Sequence, residues 1–75
     1  MNIRVTMGYG GVKWDVCDPP EDEHENRHGP VVMNGFTAHK DGQDYMLDLS
    51  NAVNNAVRYI QETNRQISEI EFRRS

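Results

Sequence analysis

Three histidines, one cysteine and a dense run of carboxylates are the side chains of this 75-residue chain that could do chemistry. Cys17, Asp18, His24 and His28 fall within twelve residues, in company with Glu21, Asp22, Glu23 and Glu25. His24 and His28 are four apart, so a helical turn would align their imidazoles as ligands for a metal. A structural zinc wants four ligands, usually with more thiolate than one cysteine supplies. Pro19-Pro20 and Gly29-Pro30 leave room for barely two helical turns, and neighbouring acids favour the protonated imidazole that binds no metal. The expectation is therefore no metal and no cofactor, with two exposed histidines beside acids.

Nucleophilic chemistry fares no better. Cys17 could pair with His24, His28 or His39, but its acidic neighbours disfavour the thiolate. His39 opposite Asp44 would make an oriented base, although a surface cross-strand pair explains the same two residues. Gly8-Tyr9-Gly10-Gly11 has neither the GxGxxG spacing nor the following helix of a phosphate loop. No catalytic residue is expected, and the chain reads as a non-enzyme.

The acids have a second use. Asp15, Asp18, Glu21, Asp22, Glu23 and Glu25 place six carboxylates between positions 15 and 25 with no base among them. The net charge of −4 is uneven: residues 1–48 hold nine acids against four bases, residues 49–75 three against four. That balance opposes direct binding to a nucleic-acid backbone, which takes cations. It suits contact with a protein whose own basic groove is built for phosphates. The plain alternative is a solvated loop kept soluble by its charges.

Met33 and Met46, near Val31 and Thr37, are expected on the outer face of a sheet, where flexible thioethers suit an adaptable contact. Size, acidity and the lack of catalytic groups then suggest a small protein-binding module. The type that fits is a phage or mobile-element inhibitor, anti-CRISPR or anti-restriction in kind, acting in the host cytoplasm. It would work as a DNA mimic, covering a basic nucleic-acid-binding surface. The alternative is a structural homodimer or assembly subunit joined through the outer sheet face.

The elements that must position these residues follow from hydrophobic period. Ile3, Val5 and Met7 alternate with polar residues, as do Val12, Trp14 and Val16, with glycines between. The spacing predicts a hairpin, 3–7 with 12–17, in a register that sets Val5 opposite Trp14 and Arg4 opposite Asp15. Prolines close it, and 18–30 reads as an exposed acidic loop. Asp41-Gly42 predicts the tip of a second hairpin, 31–39 with 43–48, putting Val32, Phe36, Ala38, Tyr45 and Leu47 on one face. Gly35 marks a bulge or a close backbone approach.

Leu49, Ala52, Val53, Ala56, Val57 and Ile60 recur at three and four, predicting a helix over about 49–65, capped by Asp48 or Ser50. A short C-terminal edge strand at 67–73 is the final expectation, with the same residues continuing the helix as its rival. The fold class is α+β: one domain over 1–75, an antiparallel sheet of two hairpins with one helix across it. So short a chain buries only about 60% of its unfolded surface and has a thin core. A lone cysteine excludes an internal disulfide, and neither a signal peptide nor a spanning segment is legible, so a soluble cytoplasmic protein is expected.

Overall fold

The computed structural model describes residues 1–8, 10–19 and 29–74. They form an α+β unit, a four-stranded mixed sheet with one helix. The strands are β1 (Asn2–Gly8), β2 (Gly11–Cys17), β3 (Val31–Ala38) and β4 (Glu69–Arg74), and the helix α1 is Tyr45–Glu62. In space the strand order is β3-β2-β1-β4.

β1 and β2 pair as their alternation requires, with Val5 opposite Trp14, Ile3 opposite Val16 and Arg4 opposite Asp15. Both faces are satisfied at once, because a one-residue slip would turn every apolar side chain out of the core.

The second hairpin does not form. β3 pairs antiparallel with β2, and 43–48 is not a strand. The 18–30 segment instead joins β2 to β3, its base closed by Asp18 N–H donating to Pro30 O (3.0 Å) and Gly29 N–H donating to Asp18 O (2.8 Å). Residues 20–28, including His24, His28, Glu21, Asp22, Glu23 and Glu25 of the expected acidic loop, lie outside the described residues. The chain turns at Gly42, where φ is +82°, and enters α1 directly. Asp44 is the cap, its carboxylate accepting from Met46 N–H at 3.0 Å, in place of Asp48 or Ser50.

The helix starts four residues earlier than the apolar spacing indicates, because Tyr45 and Asp48 belong to its inner stripe. It also ends earlier, at Glu62. Asn64 takes a left-handed φ of 60°, and the N–H groups of Asn64 and Arg65 bond back to Gln61 O and Ile60 O. This six-to-one closure satisfies the last carbonyls of the helix.

Because β3 and α1 run in opposite directions along the sheet, the helix returns the chain to the end where β3 began. β4 therefore starts beside the start of β1 and runs parallel to it, Ile3 opposite Ile70 and Val5 opposite Phe72. The sheet is mixed for that reason, and the expected edge strand is present. The core is Ile3, Val5, Val12, Trp14 and Val16 beneath Ala52, Ala56 and Ile60. Two alanines on the inner stripe let the backbone of α1 lie close to the strands. Leu49, Val53 and Val57 pack at its margin. No helix among the described residues is long and apolar enough to cross a membrane.

The β2–β3 register also turns β3 over. Val12 and Val16 face the helix, so their partners Thr37 and Met33 lie on that side, with Gly35 beside Trp14. Phe36 pairs with Lys13 and reaches over Gly11 on the other face. The expected faces of β3 are thus exchanged. Gly35 is a close approach as anticipated: a Cβ there would stand 2.4 Å from the Trp14 indole.

Candidate functional site

Three pieces of chain meet beside the β1–β2 turn: the end of β3, the 40–44 connection and the first turn of α1. His39 N–H donates to Gly10 O (3.1 Å), which fixes the end of β3 against that turn. Tyr45, first residue of α1, donates its hydroxyl to Gly8 O (2.5 Å) and is 3.1 Å from Gly11 O. The His39 and Tyr45 rings stand 5.4 Å apart at 50°.

Beneath them lies Asp48, wholly buried on the inner stripe of α1. Its two oxygens are both used. Oδ2 is 2.5 Å from His39 Nδ1, and Oδ1 accepts from the Gln43 side-chain amide at 2.8 Å. A buried carboxylate is tolerated only with such partners, and the first turn of a helix adds favourable partial charge. His39 is therefore paired with Asp48, one helical turn beyond the expected Asp44. The imidazole keeps 28% of its side-chain surface exposed, so it is an oriented and reachable group.

Cys17 cannot serve this histidine. It stands at the opposite end of β2, six residue steps or about 20 Å from the end that faces Ala38 and His39. Burial pushes its thiol above the ordinary pKa, and the carboxylates of Asp15, Asp18 and Glu71 push it further, against the Arg4 guanidinium. Among the described residues no three His, Cys, Asp or Glu side chains gather as a metal site.

The acid run is divided by the fold. Asp15 is 2% exposed; its carboxylate accepts from Arg4 at 3.2 Å, with Lys13 at 3.9 Å. Asp18 accepts from Arg65 at 3.2 Å. Two of the six acids are thus internally paired, and the other four fall outside the described residues. The two methionines are not brought to one sheet face. Met33 is on the helix side of β3, and Met46 projects from the first turn of α1, at 42% and 66% exposure.

A different surface does collect apolar groups. β3 is an edge strand, and Val31, Val32, Met33 and Phe36 are all exposed along it, as are Met46 and Leu47 on the helix that follows. None of the eight residues of β3 is charged. The other edge, β4, carries Glu69, Glu71, Arg73 and Arg74 among its six.

Comparison with family models, with curated proteins and with solved structures gives no match.

Sequence reasoning overlooked Asp48 as a buried group and Gln43 and Tyr45 as its surroundings. A signal was there. Asp48 precedes Ala52, Ala56 and Ile60 at a constant spacing of four, so it lies on the row that the helix buries.

Proposed function

We propose that the chain is a non-enzymatic protein-binding module. In this proposal it is a phage or mobile-element inhibitor that covers the basic, nucleic-acid-binding surface of a host complex. The observation that carries the proposal is the joining of an uncharged, apolar strand edge to the acid-rich 18–30 connection. Val31 to Met33 follow that connection directly. Apolar contact would supply the affinity, and Glu21, Asp22, Glu23 and Glu25 the attraction toward cationic surface. Asp15 contributes little to that field, being buried and neutralised by Arg4 and Lys13.

The experiment is capture from a lysate of the native host at low and high salt, with the retained protein purified and its binding measured. Reversing Glu21, Asp22, Glu23 and Glu25 to lysine is expected to weaken binding at least tenfold and flatten its salt dependence. Binding that ignores both salt and the reversal overturns the electrostatic mechanism.

A further inference from the structure

We propose that Asp41 is the isoaspartate site of the folded chain. Its side chain takes over the backbone link to Gly42, and the change loosens the hold of His39 and Gln43 on Asp48. The proposal rests on the 40–43 turn and does not require the inhibitory reading.

The chemistry needs only water. A backbone nitrogen that follows Asp or Asn can attack the side-chain Cγ and close a five-membered succinimide. At Asp41 the bond formed is Gly42 N to Asp41 Cγ. The Cγ–OH bond breaks, and the hydroxyl leaves as water with the amide proton. Water then opens the ring. Opening at the backbone carbonyl leaves Gly42 joined through Cγ, a link one methylene longer, with a free α-carboxylate and no net change of mass. A following glycine favours the step because it brings no side chain to the approach. The sequence holds two such pairs, Asn34–Gly35 and Asp41–Gly42.

By residue type Asn34 is the more reactive, since ammonia is the better leaving group. The fold reverses that order. His39 N–H bonds to Gly10 O, and bonded pairs in an antiparallel ladder recur at every second residue. Gly35 therefore turns its N–H into β2, toward its register partner Trp14. The register is unbroken from Ala38 to Met33, and its shift falls beyond, between Val16 and Cys17. The Trp14 indole also fills the space over Gly35. Attack on Asn34 Cγ thus requires β3 to come away from β2. Gly42 is not held in this way. Its φ of +82° and the Gln43 N–H to Lys40 O bond (3.1 Å) make 40–43 a type II turn, whose closure leaves the Gly42 amide unused. Asp41 and Gly42 are both exposed, and a Cβ on Gly42 would meet nothing within 4 Å. Among the described residues no hydrogen bond engages the Gly42 N–H.

This turn joins the two residues that hold the buried carboxylate. His39 Nδ1 is 2.5 Å from Asp48 Oδ2, and the Gln43 amide is 2.8 Å from Oδ1. Asp44, the cap of α1, follows Gln43 directly. An added methylene between residues 41 and 42 breaks the Lys40–Gln43 closure and shifts Gln43 relative to His39. Asp48 then loses a partner while remaining buried, which is costly for a charge.

The test incubates the full chain at pH 6 and 37 °C, folded and in 8 M urea. Isoaspartate is counted by methyl transfer from S-adenosylmethionine with an isoaspartyl methyltransferase, and its position is read by electron-transfer fragmentation. In the folded chain it is expected at position 41, with Asn34 keeping its amide. In urea Asn34 is expected to convert ahead of Asp41, at least tenfold faster than when folded. Asp41→Asn, an exposed change that supplies the better leaving group, is expected to raise the rate at position 41 at least tenfold. Its isoaspartyl form, separated by chromatography, is expected to unfold at lower urea than the fresh variant, and to lose less in an Asp48→Ala background. Conversion of Asn34 ahead of Asp41 in the folded chain overturns the proposal. So does a folded Asp41→Asn chain that forms isoaspartate at 41 no faster than the folded parent. An isoaspartyl form as stable as the fresh variant, or one equally weakened without Asp48, overturns the link to the buried carboxylate.

Discussion

Removing either member of the His39–Asp48 pair should destabilise the protein, and the more exposed member should cost more. In Asp48→Ala the charge itself disappears. What is lost is two hydrogen bonds to a carboxylate, each worth about 1.5–3 kcal/mol, partly offset because that carboxylate is no longer held away from water. His39, with 28% of its side chain exposed, and Gln43, itself only half-buried, can turn to solvent. A net loss of about 2 kcal/mol is expected, or a Tm lowered by about 8–16 °C in a domain of this size. In His39→Ala the carboxylate stays, wholly buried, with the Gln43 amide as its remaining side-chain partner. Stranding a buried charge typically costs about 3–5 kcal/mol. The double variant should then be no worse than His39→Ala alone, since it removes the stranded group. Urea unfolding of the three variants at pH 7, followed by Trp14 fluorescence, measures all of this. The reasoning is refuted if Asp48→Ala is the costlier change, or if His39→Ala unfolds within 0.5 kcal/mol of the parent protein (about twofold in the equilibrium constant).

Other consequences follow from single contacts. Gly35→Ala ought to destabilise by about 1–3 kcal/mol, as overpacking does, because the new methyl meets the Trp14 indole; a shifted Trp14 emission spectrum would accompany it, and an unchanged one would argue against the contact. Asp44→Ala should lower stability by about 1 kcal/mol through loss of the cap, whereas Ser50→Ala, exposed in mid-helix, should stay within about 0.5 kcal/mol of the parent; thermal melts by circular dichroism separate them. Cys17 should resist a thiol-specific disulfide reagent at pH 8 until the chain unfolds. Its raised pKa also fixes the sign of a pH effect. Above about pH 9 the unfolded chain gives up the thiol proton while the folded chain keeps it, so stability falls with rising pH, by at most about 1.4 kcal/mol per unit. Cys17→Ala should remove that slope in urea titrations between pH 8 and 10.

The β1–β2 hairpin was legible in the sequence down to its register, because the two runs are separated by four residues and both faces agree on one alignment. The apolar stripe of α1 and the close approach at Gly35 were legible for the same local reason: period and residue size act within a few positions along the chain. Residues 43–48 were not legible. An Asp41-Gly42 turn would set Tyr45 and Leu47 opposite Ala38 and Phe36 as in a hairpin strand, and Asp48 interrupts the apolar stripe as a cap would. Only the folded chain brings His39 and Gln43 to that carboxylate, and only such partners make its burial affordable. The neighbour of β3 was likewise a tertiary outcome. Asp41-Gly42 favours a local turn, but pairing with β2 gives β3 a central partner and lets α1 cover the middle strands. With that choice made, the crossing helix dictates a parallel β4, a guarded edge on one side of the sheet and an open one on the other. Local pattern along the chain determined which segments are stiff and which face is apolar; the competition between distant partners for buried surface decided who lies beside whom.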